Sequence, residues 1–162
     1  MDWPHVKDFI PLMVLFSLII CITLIHQIYR GWDAHLFMTD FMGFFFVIFA
    51  LFKIINLNNF VQAYSMYDII AQRSTVYAYV YPFIELFLGA LFLSQRHLFL
   101  ANSLTLVLML VGALGVWLEL RKGHTVVCAC LGAVFKIPMT YVTLAEDLLM
   151  GAMALIMLIA HR

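Results

Sequence analysis

Hydrophobic residues run along this chain in long blocks separated by short polar breaks, and the length of each block decides what it can form. Five blocks stand out, at 9–28, 41–57, 77–93, 98–120 and 142–160. Each is close to the roughly 17–25 apolar residues that a helix needs to cross a bilayer. In hydrocarbon a backbone must satisfy its own hydrogen bonds, so each block is expected to be a helix rather than a strand. The first block follows Lys7, is longer than a secretory h-region and has no small-x-small cleavage site after it, so it reads as a retained helix. No long linker, repeat or charge run interrupts the chain, and 1–162 reads as one integral membrane domain. The fold class expected is therefore all-α, a polytopic membrane helical bundle with about five transmembrane helices.

Between the second and third blocks, 58–82 is too polar to span but is patterned. Phe60, Tyr64, Tyr67 and Ala71 recur at helical spacing, which predicts a helix lying along the membrane surface with that face towards the bilayer. Tyr77, Tyr79 and Tyr81 follow, and suit headgroup depth as an aromatic belt or as a docking surface.

Composition agrees with the block pattern: 65% hydrophobic and 11% charged residues cannot be hidden inside a soluble chain of 162 residues. The lipid bilayer is the expected surrounding. Nine basic residues balance nine acidic ones without a basic stripe, which sets nucleic-acid binding aside.

Ionisable residues inside apolar blocks are candidates for function. Lys53, near the end of the second block, can snorkel to the headgroups or pair with Glu85, which lies beyond Pro82 in the third block and should point into the bundle. Such a pair would be structural, or a relay or binding site. Glu146 and Asp147 are open to two readings: Thr143 and Glu146 fit a capping box at the start of the last helix, or the two acids form a functional pair. Small residues at Gly89, Gly112, Gly115 and Gly151 mark helix contact faces.

The chain has three cysteines. Cys21, in the middle of the first block, reads as a small buried hydrophobe. Cys128 and Cys130 fall between the last two blocks, near Arg121, Lys122, His124 and Lys136, whose positive charge would raise the thiolate fraction. A disulfide across one intervening residue is strained and easily reduced, which suits exchange better than stapling. The same thiolates with His124 and Met139 make a soft ligand set for Cu(I) or, less well, Zn(II). A third possibility is that both cysteines are inert. No haem ligand pair, quinone signature or thioredoxin-type Cys-x-x-Cys is present, so no resident cofactor is evident.

Several of these residues together carry a resemblance. Phe52-Lys53 closes a span, Phe60 and Tyr64 follow, Tyr81-Pro82-Phe83-Ile84-Glu85-Leu86 opens the next, and Cys128-Ala129-Cys130-Leu131-Gly132 precedes the last helix. This order resembles the methylamine utilisation protein MauE family, grouped with DoxX-like redox-associated membrane proteins, over residues 41–160. The resemblance implies a four-helix DoxX-like core with the first helix added in front. It implies a role in maturing the small, disulfide-rich subunit of periplasmic methylamine dehydrogenase beside a thioredoxin-like partner. Carried onto this chain, the family's Cys-x-Cys falls on Cys128 and Cys130, its span-ending lysine on Lys53, and its Pro-x-x-Glu on Pro82 and Glu85. The usual Cys-Gly-Cys-Phe-Gly is Cys-Ala-Cys-Leu-Gly here, and Glu146-Asp147 stands where Arg-Asn is expected, so the chain looks like a divergent member. Similar Cys-Ala-Cys-Leu-Gly proteins occur near heavy-metal-associated domains, which keeps the metal reading beside the redox one.

Orientation draws opposite answers from charge and resemblance. Lys7, Arg73, Arg121, Lys122 and Lys136 would share the side of the N-terminus, against Arg30, Arg96 and Arg162, which favours a cytoplasmic N-terminus. The resemblance implies the reverse, with the Cys-x-Cys loop in the periplasm, and is preferred because so small a charge difference in short loops is easily outweighed. The expectation is thus a multi-pass inner-membrane protein in which Cys128 and Cys130 react, supported by Lys53, Glu85, His124 and Lys136, on a thioredoxin-like periplasmic protein or exported client.

Overall fold

The computed structural model describes residues 6–122 and 141–160, with side chains for 10–122 and 143–160. Among the described residues every regular element is helical: α1 (Val6–Arg30), α2 (Ala34–Ile55), α3 (Leu57–Tyr64), α4 (Thr75–Leu93), α5 (Leu98–Arg121) and α6 (Tyr141–Ala160). Five of them, all but α3, are long and apolar enough to cross a membrane. The protein is a multi-pass helical membrane bundle.

The helix boundaries follow local chemistry. After α1 the chain turns at Gly31, whose φ of 91° costs a residue without a β-carbon little. Asp33 then caps α2, its Oδ1 accepting from the amides of His35 and Leu36 at 2.7 and 3.0 Å. The block pattern places the start of this helix at 41, but it starts at Ala34. The polar residues that hid the first turns have partners inside the bundle: buried Asp40 accepts from Gln27 Nε2 at 3.1 Å and bonds His26 Nδ1 at 2.8 Å, fastening α1 to α2. Ser74 caps α4 through its hydroxyl and the Tyr77 amide.

Lipid tails are as apolar as leucine, so helices in a bilayer associate through close packing rather than hydrophobic drive. Here α2 packs antiparallel on α4 and α5 on α6, with α4 against α5 and α2 against α6, while α1 packs on α2. Glycines set the α2–α4 spacing. A β-carbon on Gly89 would lie 2.7 Å from Val47 Cγ2 and 3.0 Å from the Val47 amide nitrogen. Rings fill the space above and below: Phe46 stacks on Phe92 across the two helices at 6.1 Å, and Phe16 of α1 meets Phe45 at 5.7 Å. The outward faces are apolar, as lipid contact requires, and include Phe87, Val107 and Ile159. Cys21 is among the exposed residues, so the expectation of a buried thiol is corrected: it faces outward from α1.

The segment after α2 also differs from expectation. Its helix ends at Tyr64, and Asp68 Oδ1 accepts from the amides of Ile70 and Ala71 to hold a series of turns. Phe60, Tyr64, Tyr67 and Ala71 do share a face, but all four are buried. The face looks into the bundle because its rings pack on α4 beneath, Phe60 stacking on Tyr81 at 6.1 Å and Tyr64 meeting the same ring at 4.5 Å. Of the expected belt, Tyr81 is buried and Tyr77 half-buried, whereas Tyr79 is exposed and donates to Asn58 Oδ1 at 3.0 Å. The turns rest on α5 at Gly115, where a β-carbon would lie 2.6 Å from the Tyr67 carbonyl oxygen. Helix α3 and these turns form a lid over one end of the bundle.

Gly89→Ala should lower stability by about 1–3 kcal/mol, the usual cost of overpacking. Gly151→Ala, whose new methyl would meet Met109 Cβ at an ordinary 3.6 Å, should stay within about 0.5 kcal/mol of the parent. Thermal unfolding of the two variants in one detergent separates these outcomes.

Candidate functional site

Beneath the lid, the last turn of α2 carries Lys53, and α4 presents Glu85 to it. The ammonium donates to both carboxylate oxygens at 2.6 Å. Lys53 is 7% and Glu85 2% exposed. Snorkelling is therefore corrected: the ammonium is buried, and the rings of Phe60 and Tyr81 flank it, 5.6 and 5.1 Å from Nζ to their centroids. Away from water a lone charge is costly, whereas a paired charge over aromatic faces is satisfied.

The pair forms one wall of a cavity of about 40 Å³. Tyr64 and Tyr67 of the lid cover it, and Thr143, Glu146 and Asp147 of α6 lie opposite. Burial above all, with the Tyr81 phenol and Asp68 beside Tyr64 and the carboxyl groups of Asp147 and Asp68 near Tyr67, pushes both phenols above the usual tyrosine range, so both stay neutral hydroxyls. Asp147 fits because α5 has a glycine beside it: a β-carbon on Gly112 would come within 3.0 Å of Asp147 Oδ2. The capping-box reading is corrected, since α6 begins at Tyr141 and Thr143 lies inside the helix. Glu146 turns inward instead; it is 8% exposed, and its Oε1 has no hydrogen-bond partner among the described residues. The Lys53–Glu85 pair thus faces two further acids, Glu146 and Asp147, across a cavity lined otherwise by rings, methionines, Gly112 and Thr143. Such an arrangement can hold protons or a small cation. Among the described residues no three His, Cys, Asp or Glu side chains converge as a metal site.

A family model described as methylamine utilisation protein MauE matches residues 32–160. The chain belongs to the MauE family. The matched region holds α2 to α6, with α1 in front of it, and begins ahead of the 41 expected from the resemblance. No match appears among curated proteins or among solved structures.

Of the site residues expected from the sequence of this MauE-family chain, the structure brings Lys53 and Glu85 together and adds Glu146 and Asp147. His124, Cys128, Cys130, Lys136 and Met139 lie outside the described residues. The helix ends that flank them are described. Gly112 faces Asp147 and Gly151 faces Met109, so α5 and α6 run antiparallel, and the end of α5 shares the lid side of the bundle with the start of α6. Sequence reasoning missed the His26–Asp40 contact and Asp68. An aspartate directly before an apolar run was the only signal for Asp40, and starting the span after it discarded that signal.

Lys53→Met should destabilise this MauE-family protein by about 3–5 kcal/mol, because it leaves the Glu85 carboxylate buried without its cation. Lys53→Met combined with Glu85→Leu should recover most of that loss, since replacing both partners by apolar groups is often neutral. Unfolding of the single and double variants in detergent measures the difference.

Proposed function

We propose that this protein is an integral membrane accessory factor in thiol–disulfide handling that assists maturation of an exported protein, of the kind represented by the small subunit of methylamine dehydrogenase. In this reading it sits in the cell inner membrane, and Cys128 and Cys130 cycle between dithiol and disulfide. A client thiolate attacks the Cys128–Cys130 disulfide to give a mixed disulfide. The second client thiol resolves it, leaving the client oxidised and the pair reduced; a thioredoxin-like periplasmic protein is the exchange partner. The strain of a ring closed across one residue favours such transfer over permanent bonding.

The observation that carries the reading is the Lys53–Glu85 contact at 2.6 Å. These are the positions on which the family's span-ending lysine and Pro-x-x-Glu fall, and their pairing supports a family core assembled here in the family's way. The MauE match, which spans the Cys-x-Cys segment, supports the accessory role. Dithiol–disulfide conversion moves two protons with two electrons, and the carboxyl groups on the lid side are able to accept and return them.

The test combines labelling with trapping. A membrane-impermeant thiol reagent applied to intact cells should label the protein only after mild reduction. Labelling only after lysis would contradict a periplasmic pair. Cys128→Ser should abolish mixed disulfides with the client; loss of copper from the purified variant with mixed disulfides retained would favour metal handling through His124, Cys128, Cys130 and Met139 instead.

A further inference from the structure

We propose that the cavity between the lid and α6 is a binding site for ammonium or a one-carbon alkylammonium ion. The first observation is an imbalance of charge and contact. Lys53 satisfies Glu85 with two hydrogen bonds, while Glu146 is more than nine-tenths buried and its Oε1 has no partner among the described residues. Asp147 stands beside it, held in place by the space that Gly112 leaves. Among the described residues no hydrogen-bond donor reaches that oxygen, and a cationic donor suits two adjacent acids.

The second observation is the kind of wall. Ammonium groups are recognised by aromatic faces combined with carboxylates, and the cavity already holds one such group: Lys53 Nζ sits over the rings of Phe60 and Tyr81. Phe45, Phe49 and Tyr67 add further rings to the lining of the same cavity. Size then limits the ligand. A cavity of about 40 Å³ has room for about three or four water-sized groups, given the roughly 10–15 Å³ that one water needs. That accommodates a nitrogen and one carbon and excludes a quaternary ammonium. Glu146 also lines a groove between α1 and α6 formed by Leu12, Met13, Phe16 and Leu149, which puts the site one side chain away from the outer surface of the bundle.

The experiment is calorimetric titration of the detergent-purified full chain with methylammonium chloride at constant ionic strength. Reducing conditions throughout make its outcome independent of the thiol chemistry. Saturable binding is expected, weakened at least about tenfold in Glu146→Gln by loss of a charge-assisted hydrogen bond, and weakened likewise in Asp147→Asn. Potassium, which has no N–H donors, should bind less well, and tetramethylammonium should not bind. No saturable heat with the unaltered protein would overturn the proposal and leave the cavity to water and protons; that arm requires no variant to fold. Equal responses to methylammonium and tetramethylammonium, or Glu146→Gln and Asp147→Asn variants that bind as well as the parent, would overturn it too.

Discussion

A charge inside a bilayer must find its counter-charge within the protein, and the Lys53–Glu85 pair is where this chain meets that constraint. Much of the architecture serves the contact. The glycines of α2 and α4 let the two backbones approach closely enough for a lysine at the end of one helix to reach a glutamate within the other. The lid lays Phe60 over the ammonium, and Tyr81, one turn before Glu85, closes the other side. Gly115 lets the lid backbone rest directly on α5. Removing water from the pair makes it strong, and also makes it intolerant of losing either member.

Much of this could be read from the sequence, and the failures have physical causes. Spans are legible because a bilayer demands length and apolarity, both of which are one-dimensional properties. The Glu85 side chain could be assigned inward, and Lys53 named as its partner, because a short connection makes α2 and α4 neighbours. What misled was the assumption that amphipathic means surface-lying: the Phe60, Tyr64, Tyr67 and Ala71 face was correctly grouped but turned towards the wrong solvent. A helical period fixes which residues share a face, and only packing decides what that face meets. Thr143 and Glu146 failed for a related reason, since their spacing fits a cap only if the helix starts there, and α6 starts earlier.

Glu146 and Asp147 add a pair of neighbouring acids that face a cavity shared with Lys53 and Glu85. The bundle accommodates them because Gly112 leaves space for the Asp147 carboxyl group. A frame built around one fixed ion pair can therefore carry further ionisable groups opposite it.

The pair also constrains how the chain enters its membrane. Lys53 is made thirty-two residues before Glu85. A lysine at the centre of a lone helix is penalised by about 2.5–3.5 kcal/mol during insertion, less near a helix end, and until α4 arrives α2 must keep its ammonium at the aqueous edge. The long apolar α1 in front, fastened through His26 and Asp40, can hold α2 in register during that delay. The ammonium can leave that edge only once α4 supplies Glu85, so pairing α2 with α4 is the condition for burying it.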